Sequence, residues 1–178
     1  AVVGGGPAGL TYASLVSEGN TVTVFERDSR LGGALRLAAK APLFQEVESA
    51  EDVFDTYIGS LVNICCANGV DFHLGADPFT ETDILDGFDR IVLATGARYR
   101  LAPVRLAMSL ARWPVLRRLF SRDDVRDWLY YRARIATGES LQRRLGKEVT
   151  VIGDAAAPGK ASAAVASAYS AAFSTRAS

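Results

Sequence analysis

Ala1-Val2-Val3-Gly4-Gly5-Gly6-Pro7-Ala8-Gly9-Leu10 reads as the end of an apolar strand, a tight glycine turn and the first turn of a helix. Gly4 permits the sharp turn out of the strand. Gly6 has no Cβ to hold a pyrophosphate off the backbone, and Gly9 lets the helix pack on the strand that feeds it. Pro7 and Ala8 begin that helix, whose unpaired N–H groups and partial positive charge favour an anion. An isolated G-x-G-x-x-G string is a weak signal, because many glycine clusters are plain turns. Here Thr21–Phe25 follows as a second apolar strand, and Glu26 ends it 22 residues after Gly4. A carboxylate at about that distance is placed to accept from a ribose hydroxyl pair. The stretch implies a dinucleotide or another ADP-containing ligand, with a purely structural βαβ turn as the competing interpretation.

At 178 residues the chain is long enough for one large domain, or a small pair, with a buried core. Hydrophobic content of 49% and charged content of 22% are ordinary for a soluble globular protein. No apolar run approaches the roughly 18–20 residues of a membrane span and no signal peptide is visible, so a cytoplasmic location is expected. Cys65 and Cys66 are adjacent within a predicted helix, which argues against CxxC redox chemistry and against a metal site. Two half-buried small side chains are expected instead. His73 falls in a predicted strand, where a general-base role is the lesser alternative. The chain lacks an initiator Met and has only three residues before its glycine turn, so an upstream portion is expected in the native protein.

Arg27–Arg30 make a polar turn into Leu31-Gly32-Gly33, a glycine pair that lets backbone approach something bulky; a flexible loop is the alternative. Pro42 breaks any long helix across 34–48. Ser49 with Asp52 imitates a capping box. The helix it starts runs to about Asn68, with Val53, Phe54, Tyr57, Ile58, Leu61 and Ile64 at core-facing spacing. Val70–Leu74 is then the third parallel strand. The acidic 75–89 connection, with Pro78 and Gly87, is expected to be an exposed loop or short hairpin. Arg90–Leu93 reads as a buried strand ending in Ala94-Thr95-Gly96, and Glu148–Ile152 as another ending in Gly153-Asp154. A final helix, Ala161–Phe173, is rich in alanine and serine, which suits close packing. This alternation implies an α/β fold: a Rossmann-like, mainly parallel sheet with helices on both faces.

Arg98–Lys147 has a different character. It holds 13 Lys+Arg against 4 Asp+Glu, a net of +9, so the rest of this neutral chain carries −9. Its apolar residues are at helical spacing, Val104, Ala107, Met108 and Ala111 in one stripe and Val125, Trp128 and Leu129 in another. Pro114, and Ser121 with Asp124, suit helix starts. A set of short helices is expected in the segment, with arginines solvated or paired to the acidic remainder.

Five pieces stand in one order: GGGPAGL at 4–10, Glu26, LGG at 31–33, ATGA at 94–97 and IGDA at 152–155. This resembles the FAD-binding domain of the two-dinucleotide-binding-domain flavoproteins. It looks closest to the C-terminal part of trimethylamine dehydrogenase, dienoyl-CoA reductase and related NADH:flavin oxidoreductases. The resemblance implies a discontinuous FAD-binding domain of residues 1–97 and 148–178, interrupted by a basic helical insertion at 98–147. It also implies roles. Gly4, Gly6 and Gly9, with Pro7 and Ala8, would hold the FAD pyrophosphate. Glu26 would bind the adenosine ribose, with Arg27 beside the adenine. Gly32 and Gly33 would lie along the ribityl and flavin side, and Ala94, Thr95 and Gly96 would pass close to the cofactor. Gly153 and Asp154 would meet the ribityl chain, and the start of the last helix, near Ala161–Ala163, would face the flavin edge.

Relatives of this kind insert a second Rossmann unit for NAD(P)H where the basic segment stands here. That segment contains no G-x-G-x-x-G, so an NAD(P)H site within the chain is not expected. No cysteine follows Leu31-Gly32-Gly33, which argues against the disulfide-reductase branch. The resemblance implies a flavin-dependent oxidoreductase passing electrons between FAD and a small-molecule substrate or an upstream redox domain. The alternative is a non-catalytic ADP/FAD module with a structural role. No acid–base pair or nucleophile constellation marks a catalytic residue. No nucleic-acid partner is expected, and a homo-oligomer is admitted. Trp113, Phe120, Trp128, Tyr130 and Tyr131 give the basic segment the apolar area of a cap over the flavin side, with an anionic-lipid surface as the chief rival.

Overall fold

Val2, Val3, Val24, Phe25, Val92 and Leu93 are all buried, as strands of a parallel sheet covered on both faces require. In a computed structural model, which describes residues 1–36, 51–80, 82–99 and 134–176, they belong to three neighbouring strands. In chain order the elements are β1 (Val2–Val3), α1 (Pro7–Val16), β2 (Thr23–Glu26), α2 (Glu51–Ala67), β3 (Asp71–Leu74) and β4 (Val92–Leu93). There follow β5 (Ala97–Tyr99), β6 (Arg134–Ala136), α3 (Gly138–Leu145), β7 (Thr150–Val151) and α4 (Ala161–Arg176). The main sheet has the order β3-β2-β1-β4-β7, and every pair in it is parallel, with Val2 opposite Val24 on one side and Val92 on the other. The chain winds outward from β1 to β3 and then returns to place β4 on the other side of β1. The crevice past the C-terminal ends of β1 and β4 is therefore the topological switch point, where open α/β sheets bind ligands.

Successive strand residues alternate between two cores, as a period of two demands. Val2, Val24 and Val92 face one cluster, which includes Ala8, Tyr12, Ala13 and Val16 of α1 and Ala164, Ala168 and Ala172 of α4. The alanines recur every four residues, so one smooth stripe of α4 lies against α1 and the two backbones pack closely. Val3, Phe25 and Leu93 face the other cluster with Phe79, Leu85 and Ile91, flanked by Leu141 and Leu145 of α3.

The structure corrects three expectations. The α2 stripe is rotated: Ile58, Leu61 and Cys65 are buried, but Val53, Tyr57 and Ile64 are exposed. The six expected residues span a wide arc of the helix, and only the half centred on Phe54, Ile58 and Leu61 meets Leu10 and Leu35. The cysteine pair divides accordingly, with Cys66 exposed and Cys65 buried. The Cys65 thiol donates to the Leu10 carbonyl at 3.6 Å, and burial, followed by the neighbouring Cys66, pushes its pKa up to about 11. The 75–89 connection is not wholly exposed either. Pro78, Phe79 and Leu85 are buried within it, Asp77 Oδ1 caps it by accepting from the Phe79 N–H at 3.0 Å, and a 3-10 turn spans Thr82–Gly87.

The third correction concerns the basic segment, which contains strand as well as helix. β5 and β6 form an antiparallel ribbon with Ala97 opposite Ala136 and Tyr99 opposite Arg134. Each strand satisfies the other's backbone groups although Tyr99 and Arg134 lie 35 positions apart in the chain, a pairing that helical spacing does not reveal. Helix is present in α3, closed by Gly146 in the left-handed region (φ +62) with Arg143 and Arg144 in its last turn, where they complement the dipole. Arg144 donates to the Phe79 carbonyl at 2.7 Å, and Lys147 pairs with Asp86, so this part of the basic block docks on the acidic connection. The stripes from Val104 to Ala111 and from Val125 to Leu129, and the Ser49 cap, lie outside the described residues. Among the described residues no helix is long and apolar enough to cross a membrane.

Candidate functional site

The glycine turn sits at the switch point and is locked by backbone contacts on each side. The Gly4 N–H donates to the Phe25 carbonyl at 2.8 Å, extending the β1–β2 ladder by one residue. Gly4 has φ +115, and a Cβ there would lie 2.4 Å from the Ala94 carbonyl oxygen. At Gly9 a Cβ would lie 1.9 Å from the Gly4 carbonyl oxygen. Neither position admits a side chain, because in both the obstacle is backbone. Gly6 is different: among the described residues nothing lies within 4 Å of where its Cβ would stand, so they leave its flank open. Gly6 is also the N-cap of α1 and has no side chain to cap it, and Pro7 is at the helix start. Among the described residues the N–H groups of its first turn are therefore left to an external acceptor, and a pyrophosphate fits both features.

Glu26 stands beside this turn, buried to 7% exposure. Its Oε2 accepts from the Gly5 N–H at 2.8 Å and its Oε1 from the Asp28 N–H at 2.9 Å. A carboxylate has about four lone-pair sites, so Glu26 is oriented by the backbone and still able to accept from a ligand hydroxyl. Leu31-Gly32-Gly33 is no free loop. Gly32 donates to the Gly5 carbonyl at 2.8 Å, and a Cβ on Gly33, at φ +52, would lie 3.2 Å from Gly6 Cα. Arg27 is exposed at the rim. Gly5 itself was not singled out from the sequence, although its place in an unbroken Gly4-Gly5-Gly6 run was the available signal.

The other flank of the site is tied by side chains. Past β4, Ala94 is buried and Gly96 has φ +73. Thr137, which is 6% exposed, donates to the Gly96 carbonyl at 2.7 Å and lies 2.8 Å from the Thr95 hydroxyl. A hydroxyl has one proton, so Thr137 spends its own on Gly96 and accepts from Thr95. The adjacent Gly138 admits no side chain, since a Cβ would meet Val151 Cγ1 at 2.2 Å and the Ala155 carbonyl oxygen at 2.8 Å. Sequence reasoning missed Thr137 and Gly138, yet Ala136-Thr137-Gly138 repeats Ala94-Thr95-Gly96, and that repeat was the signal.

Gly153, at φ +63, packs on the first turn of α1, where its Cβ would lie 2.7 Å from Ala8 Cβ. Its N–H donates to Ser167 Oγ at 3.1 Å. Asp154 Oδ2 is ion-paired with Arg134 at 2.7 Å, the two side chains being only 18% and 11% exposed. Asp154 Oδ1 accepts from the Gly159 N–H at 3.0 Å, and the second Arg134 nitrogen donates to the Gly159 carbonyl at 2.8 Å. Arg134 was not anticipated either. Ala161 and Ala163, at the start of α4, are exposed.

The fold is a Rossmann-like domain of the α/β class. A family model described as an NAD(P)-binding Rossmann-like domain matches residues 2–46. The N,N-dimethylglycine/sarcosine dehydrogenase of Chromohalobacter salexigens is 37% identical over 106 residues, covering 58% of this chain and 14% of that protein. The glutamate synthase (NADPH) small chain of Mycobacterium tuberculosis is 34% identical over 167 residues, covering 86% of this chain and 30% of that protein. The chain thus spans less than a third of the length of either relative. Histamine dehydrogenase from Rhizobium sp. 4-9 shares the fold at a TM-score of 0.65 and 15% identity, over 96% of this chain and 40% of that one.

Proposed function

We propose that this chain is the FAD-binding part of a cytoplasmic flavin-dependent oxidoreductase, working with a small-molecule substrate or another redox domain. The observation that carries this is the pairing of Glu26 with the glycine turn. A buried carboxylate held by the Gly5 N–H at 2.8 Å stands next to the open flank of Gly6, which sets a ribose anchor and a phosphate seat on one rigid turn. Gly153 packed on Ala8 brings the Asp154 loop to the far side of the same helix start, so one elongated ligand has partners at both ends. The order of the five motifs favours FAD over NAD(P). Homology to a dehydrogenase and to a synthase named for NADPH agrees with redox work.

In this reading residues 1–97 and 148–178 form the cofactor domain and 98–147 the insertion. Gly4, Gly6, Pro7, Ala8 and Gly9 hold the pyrophosphate, Glu26 the adenosine ribose, and Arg27 the adenine side. Gly32, Gly33, Ala94, Thr95 and Gly96 line the path to the flavin, and Gly153 and Asp154 hold the ribityl chain. Bound FAD supplies reversible electron transfer, while this chain's residues bind, orient and shield it. Purified protein should be yellow and release FAD on denaturation. Colourless protein that binds ADP as tightly as FAD would instead support a non-catalytic nucleotide module. The absence of a second G-x-G-x-x-G between Gly96 and Gly153 leads us to place no NAD(P)H site in the chain. Rapid, saturable reduction of its flavin by NADH or NADPH would overturn that assignment.

A further inference from the structure

We propose that Arg134 is a positioning residue that makes the site selective for the flavin end of its ligand, acting through Asp154. The proposal rests on the FAD assignment above. β6 is a strand of the ribbon, outside the main sheet, and Ile135 points away at 45% exposure. The residues on either side of it, Arg134 and Ala136, turn the other way along the strand. The Arg134 guanidinium spans two acceptors, Asp154 Oδ2 at 2.7 Å and the Gly159 carbonyl at 2.8 Å. The Gly159 N–H returns to Asp154 Oδ1 at 3.0 Å. The result is a closed ring of three charge-assisted bonds in which a planar fork is matched to fixed acceptors, the geometry in which arginine and lysine are not interchangeable.

That ring does two things. It holds the mostly buried Asp154 carboxylate in one orientation, with its remaining lone pairs available to a ligand hydroxyl. It also fixes the Gly153–Gly159 loop between β7 and α4. None of these contacts is made to Glu26, Gly5 or Gly32 at the opposite end of the site, where the Gly5 N–H donates to Glu26 and the Gly32 N–H to the Gly5 carbonyl. Loss of Arg134 should therefore be felt by a ligand that extends to Asp154 and ignored by one that ends at the pyrophosphate.

The test compares FAD and ADP binding to the full chain by calorimetry, for the parent, Arg134→Ala and Arg134→Lys. Arg134→Ala should weaken FAD on the order of tenfold, the worth of one charged hydrogen bond from a well-oriented Asp154 to a ligand hydroxyl, and leave ADP unchanged. Arg134→Lys, which keeps the charge but one bond at a time, should fall between. Unchanged ADP binding doubles as the control for folding. Equal losses for both ligands would reduce Arg134 to a general structural role and overturn the proposal, as would FAD binding unaffected in both variants. Parent protein that binds FAD no more tightly than ADP would sink the flavin assignment itself, and this inference with it.

Discussion

The two ends of the site are built by opposite means. The end proposed for adenosine is drawn mainly from one short stretch of chain, residues 4–33, and is joined through backbone groups: Gly4 to Phe25, Gly32 to Gly5, and the Gly5 and Asp28 N–H groups to Glu26. The end proposed for the flavin is gathered from residues 94–96, 134–138 and 153–159, and is joined by side chains: Thr95 with Thr137, Thr137 with Gly96, and Arg134 with Asp154. Backbone-built geometry depends on φ and on the lack of Cβ atoms, so it fails abruptly on substitution. Side-chain geometry depends on a few hydroxyls and charges, so it degrades in steps and can be retuned without unfolding the sheet.

The sharpest break should come at Gly9. Gly9→Ala drives a Cβ to 1.9 Å from the Gly4 carbonyl, and neither backbone can yield without parting α1 from β1. Stability should fall by about 3 kcal/mol or more, at the upper end of what overpacking costs, and binding of ADP and FAD should vanish together; urea melts and calorimetry read both. A variant that melts like the parent would refute the close packing of the turn. Glu26→Ala comes next. It removes a charged acceptor from two backbone N–H groups and should cost roughly 1.5–3 kcal/mol in affinity. The loss should be the same for ADP as for FAD, and a loss confined to FAD would move Glu26 to the other end of the ligand.

Thr137→Val keeps the shape and removes the hydroxyl that bridges Thr95 and Gly96. A loss of about 1 kcal/mol is expected, larger for FAD than for ADP, with Thr137→Ser restoring it. Equal effects on the two ligands would erase the distinction between the ends. The smallest change in stability should follow Gly6→Ala. Gly6 has φ −83 and open space on its flank, so alanine fits the empty site and should stabilise it by about 0.4–1 kcal/mol through the unfolded state. Nucleotide binding should weaken all the same, because the methyl group occupies the approach of the phosphate. Higher stability with undiminished binding would mean that the ligand does not pass Gly6.

Legibility in the sequence followed the same division. Gly4, Gly6, Gly9 and Glu26 were readable because their geometry is local: strand, turn, helix and strand follow within 26 residues, and few backbone geometries demand glycine at that spacing. The parallel sheet was readable from its apolar runs, since strands buried on both faces have no polar alternation to confuse them. The rotation of α2 was not, because periodicity gives the width of an apolar arc and leaves open which part of it meets Leu10 and Leu35. The β5–β6 ribbon was missed because its partners are far apart in the chain, and a short strand carries little local signal.

What the sequence alone determined is the Rossmann-like turn, the sheet that follows from it and the carboxylate beside it, since each is dictated by local sterics and hydrophobic pattern. That Thr137 closes the Ala94-Thr95-Gly96 turn and Arg134 holds Asp154 follows from how the chain packs. Both contacts join residues 20 or more positions apart, and such partnerships exist only once packing has brought distant backbone together.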